Sequence, residues 1–123
     1  MMERIIPDSI EFRTEIKEGI QLLYAQGQLI YQTIPSAKEQ LSAHLVNVKG
    51  YVLDMNQITR VDSTGFGFIL NFIKRIPKET RLIVVITDPF IKELFYITKL
   101  DQLITILPTV SEAIAHFCIS GDE

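Results

Sequence analysis

The sequence predicts an α/β fold, with a mixed, mainly parallel sheet of about five strands flanked by four helices and opened by an N-terminal β-hairpin. Three observations support this prediction. Apolar and charged residues alternate strictly near the N-terminus, and strand-like and helical apolar patterns then alternate through the rest of the chain. The chain has 123 residues, 47% of them hydrophobic, which suffices for one core but not for two. We therefore expect residues 1–123 to form a single domain.

The N-terminal hairpin is predicted from a period of two residues. From Ile10 to Lys17, alternate positions are charged, so we expect a strand with one face buried and the other exposed to solvent. Glu18-Gly19 offers a tight turn because glycine accepts positive φ. The segment Ile20–Leu29 continues as a second strand, antiparallel to the first.

The first helix and the central strand follow the hairpin. Pro35 suits the first turn of a helix, and Gly50 is expected to end it. The apolar stripe of this helix comprises Ala37, Leu41, Leu45 and Val48. The apolar run after Gly50 predicts a short central strand that ends at Asp54 and Met55, followed by a loop as far as Asp62.

A second helix is predicted to begin near Ser63 and to end near Pro77. Its core face is one arc of apolar side chains, formed by Phe66, Ile69, Leu70, Phe72, Ile73 and Ile76. Phe68 lies outside this arc, among Asn71 and Arg75, so we expect it to face solvent. Because aromatic residues are enriched among interface anchors, Phe68, Asn71 and Arg75 are candidate partner-binding residues.

The rest of the chain predicts two strands and two helices. Leu82–Ile86 is apolar on both faces, as in the middle of a covered sheet, and Ile104–Leu107 predicts a last short strand. Asp88-Pro89 predicts the start of a helix. The apolar residues assigned to that helix are Phe90, Leu94 and Ile97. Thr109-Val110-Ser111-Glu112 matches a capping box and opens a last helix, with Val110, Ala113, Ile114 and Phe117 directed inward.

Composition argues against several classes of function. The net charge is −3 with scattered Lys and Arg, so no basic stripe predicts a nucleic-acid surface. No run reaches the roughly 18 apolar residues of a membrane span, and the N-terminus lacks the apolar core of a signal peptide. We therefore expect a cytoplasmic protein without direct membrane insertion. Because Cys118 is the single cysteine, the chain cannot form an internal disulfide. No residue spacing predicts a site for a metal or another cofactor.

Ser63 falls at a junction between loop and helix, where the first helical amides lack intrahelical partners. Asp62 or Ser63 could serve simply as the cap of that helix, since both residue types are preferred there. The same geometry also suits a phosphoacceptor, because phosphoserine carries about −1.5 to −2 charges at pH 7 and a helix N-terminus favours negative charge. The residues alone leave both interpretations open.

The sequence predicts a binding protein without catalytic residues. Val61 stands where a Gly-x-Ser-x-Gly nucleophile elbow needs its first glycine, and neither His44 nor His116 has an adjacent carboxylate that would make it a base. Gly65 and Gly67 lack the Gly-Lys-Ser/Thr ending of a phosphate-binding loop. Close approach of the helix start to a neighbouring chain is the expected reason for both glycines. A serine-nucleophile enzyme remains an alternative.

The predicted central strand ends in the pair Leu53-Asp54. Ser63 follows nine residues after Asp54, within the segment Asp62-Ser63-Thr64-Gly65-Phe66-Gly67. This pattern resembles the signature of STAS domains, in which Asp-Ser-Ser/Thr-Gly-hydrophobic-Gly opens a helix. Further positions similar to the family are Pro89, Leu94, Phe95, Thr98, Leu100 and Ile106. The resemblance covers nearly the whole chain and is to stand-alone domains of the anti-sigma factor antagonist type.

The resemblance implies a phosphorylation-switched regulator of transcription. An antagonist of this type binds an anti-sigma factor that is also a serine kinase, and this binding releases a sigma factor. The kinase phosphorylates the serine at the position of Ser63, and a metal-dependent serine phosphatase restores the binding form. The implied partner surface adds Asp62, Ser63, Thr64 and Gly65 to Phe68, Asn71 and Arg75.

Two positions depart from the family pattern. Gln28 stands where the family usually has Glu, and Ile30 stands where it has Asp. The spacing from Gly27 to Ala37 is also a few residues longer. In the family, the Asp-bearing loop lies beside the phosphorylated serine. These departures leave room for another STAS role, as an accessory subunit of a membrane transport system for lipids or anions.

Overall fold

A computed structural model describes residues 8–120 of the chain. Within that range the strands are β1 (Ile10–Lys17), β2 (Ile20–Leu29), β3 (Gly50–Val61), β4 (Arg81–Val85) and β5 (Thr105–Leu107). The α-helices are α1 (Ile34–His44), α2 (Ser63–Arg75), α3 (Pro89–Ile97) and α4 (Val110–Ser120). Short 3-10 turns at Tyr31–Thr33 and Leu100–Gln102 precede α1 and β5. The predicted order of strands and helices is confirmed.

The strands form one sheet in the order β1-β2-β3-β4-β5, so each strand pairs with its neighbour in the chain. β1 and β2 are antiparallel, and Glu18 and Gly19, with φ angles of 55° and 79°, make the tight turn between them. The other pairs, β2-β3, β3-β4 and β4-β5, are parallel. The predicted hairpin and mainly parallel sheet are therefore confirmed.

Helices cover the two faces of the sheet unequally. When successive parallel strands are added on the same side by right-handed crossovers, the connecting helices fall on one face. α1, α2 and α3 accordingly share one hydrophobic cluster. α4 packs on the opposite face, where Ala113 and Phe117 are buried in a cluster with Val52, and Val110 and Ile114 pack at its margin. The inward side chains predicted for the last helix are thus confirmed.

The central strand is longer than predicted. Pairing of β3 with β4 stops at Asp54, but β3 continues beside β2 as far as Val61, with two register shifts. Ile58, in the segment predicted as a loop, is 4% exposed. The sequence-predicted end near Asp54 is therefore the point where the strand loses one of its two neighbours, and the loop prediction is wrong.

The first helix is shorter than predicted, and a buried glutamine explains where it ends. The side chain of Gln21, in β2, is almost completely buried; its Nε2 donates to the His44 carbonyl oxygen at 2.7 Å and its Oε1 accepts from the Val46 amide at 3.1 Å. Leu45 takes an extended conformation, with ψ of 137°. Because these bonds hold the chain in that conformation, the helix does not continue to Val48.

The buried face of α3 agrees only in part with the apolar set assigned from the sequence, of which Leu94 packs against the core. Asp88 caps the helix as predicted, with its Oδ1 accepting from the amides of Phe90 and Ile91. Ile91 and Phe95 are buried, whereas Phe90 and Ile97 are 77% and 64% exposed. The side of α3 that carries Phe90 and Ile97 therefore points away from the sheet.

Candidate functional site

The start of α2 is organised by Asp62. This residue is extended, and its Oδ1 accepts a hydrogen bond from the Gly65 amide at 2.9 Å, which makes it the N-cap. Its Oδ2 accepts from the Tyr31 amide, also at 2.9 Å, in the turn after β2. One carboxylate therefore joins the start of α2 to the turn that leads into α1. Of the two residues proposed as possible caps, Asp62 has that role.

Ser63 is the first residue of α2, and its side chain is exposed. Because Asp62 supplies the capping oxygen, the Ser63 hydroxyl is not needed to satisfy a helical amide. Thr64 is half-buried and Gly65 is buried. Of the Asp62–Gly65 segment, Ser63 is thus the residue that presents its side chain most openly to solvent.

The two glycines at the start of α2 differ. A Cβ built on Gly65 would lie 2.1 Å from the carbonyl oxygen of Leu29, so glycine allows the helix to approach the end of β2. This is the close approach predicted for both glycines. A Cβ on Gly67 would meet no heavy atom of a neighbouring segment within 4 Å, so the same explanation is wrong for Gly67.

The Asp62 carboxylate is stabilised in its charged form. Burial raises the pKa of Asp62, but hydrogen bonds from the amides of Tyr31, Gly65 and Thr64 outweigh that effect and bring the pKa below its ordinary value. Asp62 is therefore ionised at neutral pH. A negative charge stands directly next to Ser63 in the sequence.

The prediction that Phe68 faces solvent is wrong. Its side chain is 8% exposed and belongs to the main core cluster. The predicted arc assumed that α2 packs on one side, but the helix meets both the sheet and α1, and its buried arc is wider. Phe68 faces α1, where it lines a groove together with Leu41 and Phe72. It is not available as an exposed anchor for a partner.

The outer face of α2 carries the other predicted residues. Ser63, Asn71 and Arg75 are exposed. Asn71 and Arg75, four residues apart, share one side of the helix, and Ser63 at its first residue is turned by about 80° from Asn71. Tyr31, whose side chain is 72% exposed and whose amide bonds to Asp62, also lies at this site but was not among the residues predicted from the sequence. An aromatic residue in the turn after a strand is the signal that could have identified it.

The departures from the family pattern lie at the end of β2 and at the residue that precedes the turn beside this site. Ile30 is almost completely buried, so this position contributes no charge to the surface. Residues Tyr31–Thr33 form a 3-10 turn between β2 and α1. The Thr33 hydroxyl closes that turn, donating to the Gln28 carbonyl oxygen at 2.7 Å and accepting from the Ile30 amide at 3.1 Å. Gln28 also accepts from the Ser9 amide at 2.7 Å and joins the start of β1 to the end of β2.

The chain's two histidines lie away from Ser63. His44 is the last residue of α1, about 15 Å along the helix from the turn that contacts Asp62. His116 lies on α4, which packs on the face of the sheet opposite to α2. Over residues 8–120, no group of His, Cys, Asp and Glu side chains is arranged to hold a metal ion. No helix in the same range has the length and apolar character needed to cross a bilayer.

Comparison with known proteins identifies related domains. The model of the STAS domain family matches residues 11–113. The structure is similar to that of an anti-sigma factor antagonist from Mycobacterium paratuberculosis, with a TM-score of 0.83 and 23% sequence identity over 90% of this chain and 96% of that chain.

Two further solved structures share the fold. A sulfate transporter family protein from Wolinella succinogenes has a TM-score of 0.71 and 17% identity, over 89% of this chain and 93% of that chain. The Bacillus cell fate determinant SpoIIAA, in its phosphorylated form, has a TM-score of 0.63 and 17% identity, over 86% of this chain and 98% of that chain. At such identities, these similarities show a common architecture of sheet and helices.

Proposed function

The chain belongs to the STAS domain family, and from that premise we propose that it is an anti-sigma factor antagonist, switched by phosphorylation of Ser63. It is a cytoplasmic binding protein and not an enzyme. In its unphosphorylated form it binds an anti-sigma factor and so releases a sigma factor for transcription. Phosphorylation of Ser63 weakens this binding and returns the anti-sigma factor to its target.

The exposure of Ser63 at the first position of α2, with Asp62 acting as the cap, is the observation that carries the proposal. A phosphoryl group on Ser63 Oγ leaves both hydrogen bonds of the cap in place. It also lies at the positive end of the helix dipole, which favours its charge. The fold is therefore expected to survive phosphorylation, while the surface gains about −1.5 to −2 charges.

The surface around Ser63 suits a switch based on charge. The ionised Asp62 and a phosphorylated Ser63 would place negative charge on adjacent residues. Tyr31, 72% exposed and held by Asp62, replaces Phe68 as the aromatic anchor, and Asn71 and Arg75 extend the surface along α2. A misplaced charge that costs about 3 kcal/mol lowers affinity about a hundredfold.

The proposed partners complete a reversible cycle. The anti-sigma factor, acting as a serine kinase, transfers the γ-phosphoryl group of ATP to Ser63 Oγ, with release of ADP and the hydroxyl proton. A serine phosphatase then hydrolyses the phosphoserine with water, yielding inorganic phosphate and the original hydroxyl. The similarity of the fold to the phosphorylated form of SpoIIAA supports the view that this architecture accommodates a phosphoryl group.

The phosphorylation step is tested by incubating the chain with the cognate kinase and ATP, followed by mass spectrometry. Phosphate is expected on Ser63 and absent from the Ser63→Ala variant. Because Asp62 supplies the cap, Ser63→Ala is expected to change the free energy of unfolding by less than about 0.5 kcal/mol. Phosphate on Thr64 or elsewhere, with Ser63 unmodified, would refute the assignment.

The binding step is tested with two substitutions of similar size. Ser63→Asp adds charge and is expected to weaken anti-sigma factor binding, whereas Ser63→Asn adds a neutral group and should bind nearly as well as the original chain. Tyr31→Ala is expected to cost about 1–2 kcal/mol of binding free energy. The matched control is Phe90→Ala, which removes an equally exposed aromatic from α3. Equal effects of the two alanine variants would exclude Tyr31 as an anchor.

A second candidate function is that of an accessory subunit in membrane transport of lipids or anions. The similarity to a sulfate transporter family protein favours it, as does the absence of a carboxylate at Ile30. Affinity capture from membrane and soluble fractions separates the two candidates. Capture of a transporter, together with failure of any serine kinase to modify Ser63, would favour the transport role.

A further inference from the structure

In addition to the proposed switch, whose partner surface shares Asn71 and Arg75 with it, we propose that the groove between α1 and α2 binds an anionic amphiphile, a molecule with one hydrocarbon chain and a terminal carboxylate or phosphate. The groove has a volume of about 830 Å³, within the range of about 300–1,000 Å³ that is usual for small-molecule sites. It runs beside the second half of α2, whereas the proposed phosphorylation site lies at the first residue of that helix.

The groove is a consequence of the early end of α1. Because the chain is extended after His44, residues 45–47, and not a further turn of α1, line the groove beside the end of α2. The extended segment is fixed on its inner side by Gln21, which bonds to His44 and Val46, and by the Tyr51 hydroxyl, which donates to the Val46 carbonyl oxygen at 2.7 Å. Since buried groups of two strands hold this segment, the opening is part of the fold.

The floor of the groove is apolar. It is lined by the side chains of Leu41, Leu45, Tyr51, Phe68, Phe72 and Ile76. Tyr51 contributes its ring, because its hydroxyl is engaged by the Val46 carbonyl oxygen. A hydrocarbon chain is favoured on such a floor, since it covers apolar surface and brings no polar group that would need a hydrogen-bond partner.

The rim of the groove is cationic. Lys38 on α1 and Arg75 at the end of α2 are exposed, and Asn47 and Asn71 add amide donors. No Asp or Glu is among the described residues that line the groove, although acidic residues outnumber basic ones in the chain by 15 to 12. The Arg75 guanidinium can donate to two oxygens of one carboxylate or phosphate.

The two properties of the groove together select the class of ligand. An inorganic anion would pair with the rim and leave the exposed part of the apolar lining, chiefly Leu45, Val46 and Ile76, in contact with water. A neutral hydrocarbon would cover the floor and leave Lys38 and Arg75 without a counter-charge. A single molecule with a hydrocarbon chain and an anionic headgroup can contact the apolar floor and pair with the cations of the rim, which is why we assign an anionic amphiphile.

Calorimetric titration of the full chain with dodecanoate, below its micelle concentration, tests the proposal. We expect saturable binding of one dodecanoate per chain. Combined Lys38→Glu and Arg75→Glu substitutions should weaken it by about tenfold or more. Lys74→Glu reverses a charge in the same helical turn but outside the groove lining, and it should change the affinity by less than about twofold.

A second pair of variants tests the groove by its shape. Ser42→Trp places a large side chain in the lining of the groove and should abolish dodecanoate binding. Ala43→Trp makes a comparable change at the next, exposed residue of α1, outside the lining, and should leave binding intact. Circular dichroism establishes that both variants fold.

Dodecyl phosphate and dodecyl maltoside complete the test. Whichever of dodecanoate and dodecyl phosphate binds more tightly identifies the headgroup, and either result supports the proposal. Equal binding of the neutral maltoside would overturn it, as would absence of saturable binding or an unchanged affinity of the doubly charge-reversed variant. No partner protein is present in the titration, so its result does not depend on the role of Ser63.

Discussion

The Asp62 carboxylate accepts a hydrogen bond from the Tyr31 amide at 2.9 Å, across 31 positions of sequence, while it caps α2 through Gly65. Asp88 offers a useful comparison, because both of its capping bonds go to amides of its own helix, those of Phe90 and Ile91. Asp62 thus combines the ordinary function of a cap with a tertiary contact.

Replacing each cap by alanine separates these two functions. Asp88→Ala is expected to lower the free energy of unfolding by about 1 kcal/mol, the usual cost of losing an N-cap. Asp62→Ala should cost about 0.5–1.5 kcal/mol more, because the bond to Tyr31 is lost as well. Urea denaturation of both variants measures the difference. Equal costs would mean that the bond to Tyr31 adds nothing to stability.

The contribution of Asp62 to stability depends on pH. Its pKa is lowered in the folded chain, so its charged form is favoured by folding, and the added stability is present above the unfolded value of about 3.9. That stability is lost as the pH falls through the lowered pKa of the folded state. The difference in unfolding free energy between the original chain and Asp62→Asn should therefore shrink on acidification. A difference that grew towards acid pH would contradict this sign.

The two glycines of α2 are expected to respond in opposite directions to alanine. Gly65→Ala places a Cβ against the Leu29 carbonyl oxygen and should destabilise the fold by about 1–3 kcal/mol. Gly67→Ala places a Cβ in open space within a helix and should stabilise it by up to about 1 kcal/mol. Thermal melting of the two variants makes the comparison. A lower melting temperature for Gly67→Ala would show that its site is not open.

Phe68→Ala tests the burial of that side chain. Because Phe68 is 8% exposed and in the main core cluster, truncation is expected to cost about 3 kcal/mol or more. Phe90→Ala removes the same side chain from an exposed position and should change stability by less than about 0.5 kcal/mol. Similar melting temperatures for the two variants would place Phe68 at the surface.

Gln21→Leu tests what ends α1. The substitution leaves the His44 carbonyl and the Val46 amide without their buried partner and should cost about 1–3 kcal/mol. Gln26→Leu is the matched control, since Gln26 is exposed on the same strand. Hydrogen exchange should show faster exchange of the Val46 amide in Gln21→Leu than in the control. Unchanged exchange would mean that other contacts hold the segment.

Local patterns predicted the strands and helices well, because the period of the apolar residues reflects which faces of a strand or helix are buried. The alternation in β1 corresponds to a strand with one buried face, and the continuous apolar run of β4 corresponds to a strand buried on both faces. The start of α2 was predictable for a related reason, since Asp62 and Ser63 are residues that favour helix caps. The capping oxygen, however, had to be assigned from the structure.

The errors arose where residues far apart in sequence determine the outcome. The burial of Phe68 depends on the proximity of α1, and the end of α1 depends on Gln21 in β2. The second half of β3 pairs with β2 only through two register shifts, which no local pattern of residues 56–61 encodes. Tyr31 lies beside the candidate site because Asp62 bonds to it, and that contact is likewise long-range.

The strand order β1-β2-β3-β4-β5 has a consequence for how the chain folds. Each strand pairs with the strand just before or after it, so no strand has to insert between two that are already paired. Folding rates rise as the sequence separation of contacting residues falls. The hairpin can form first, and each later strand–helix unit can add to the edge left by the previous one, in the order in which synthesis supplies them.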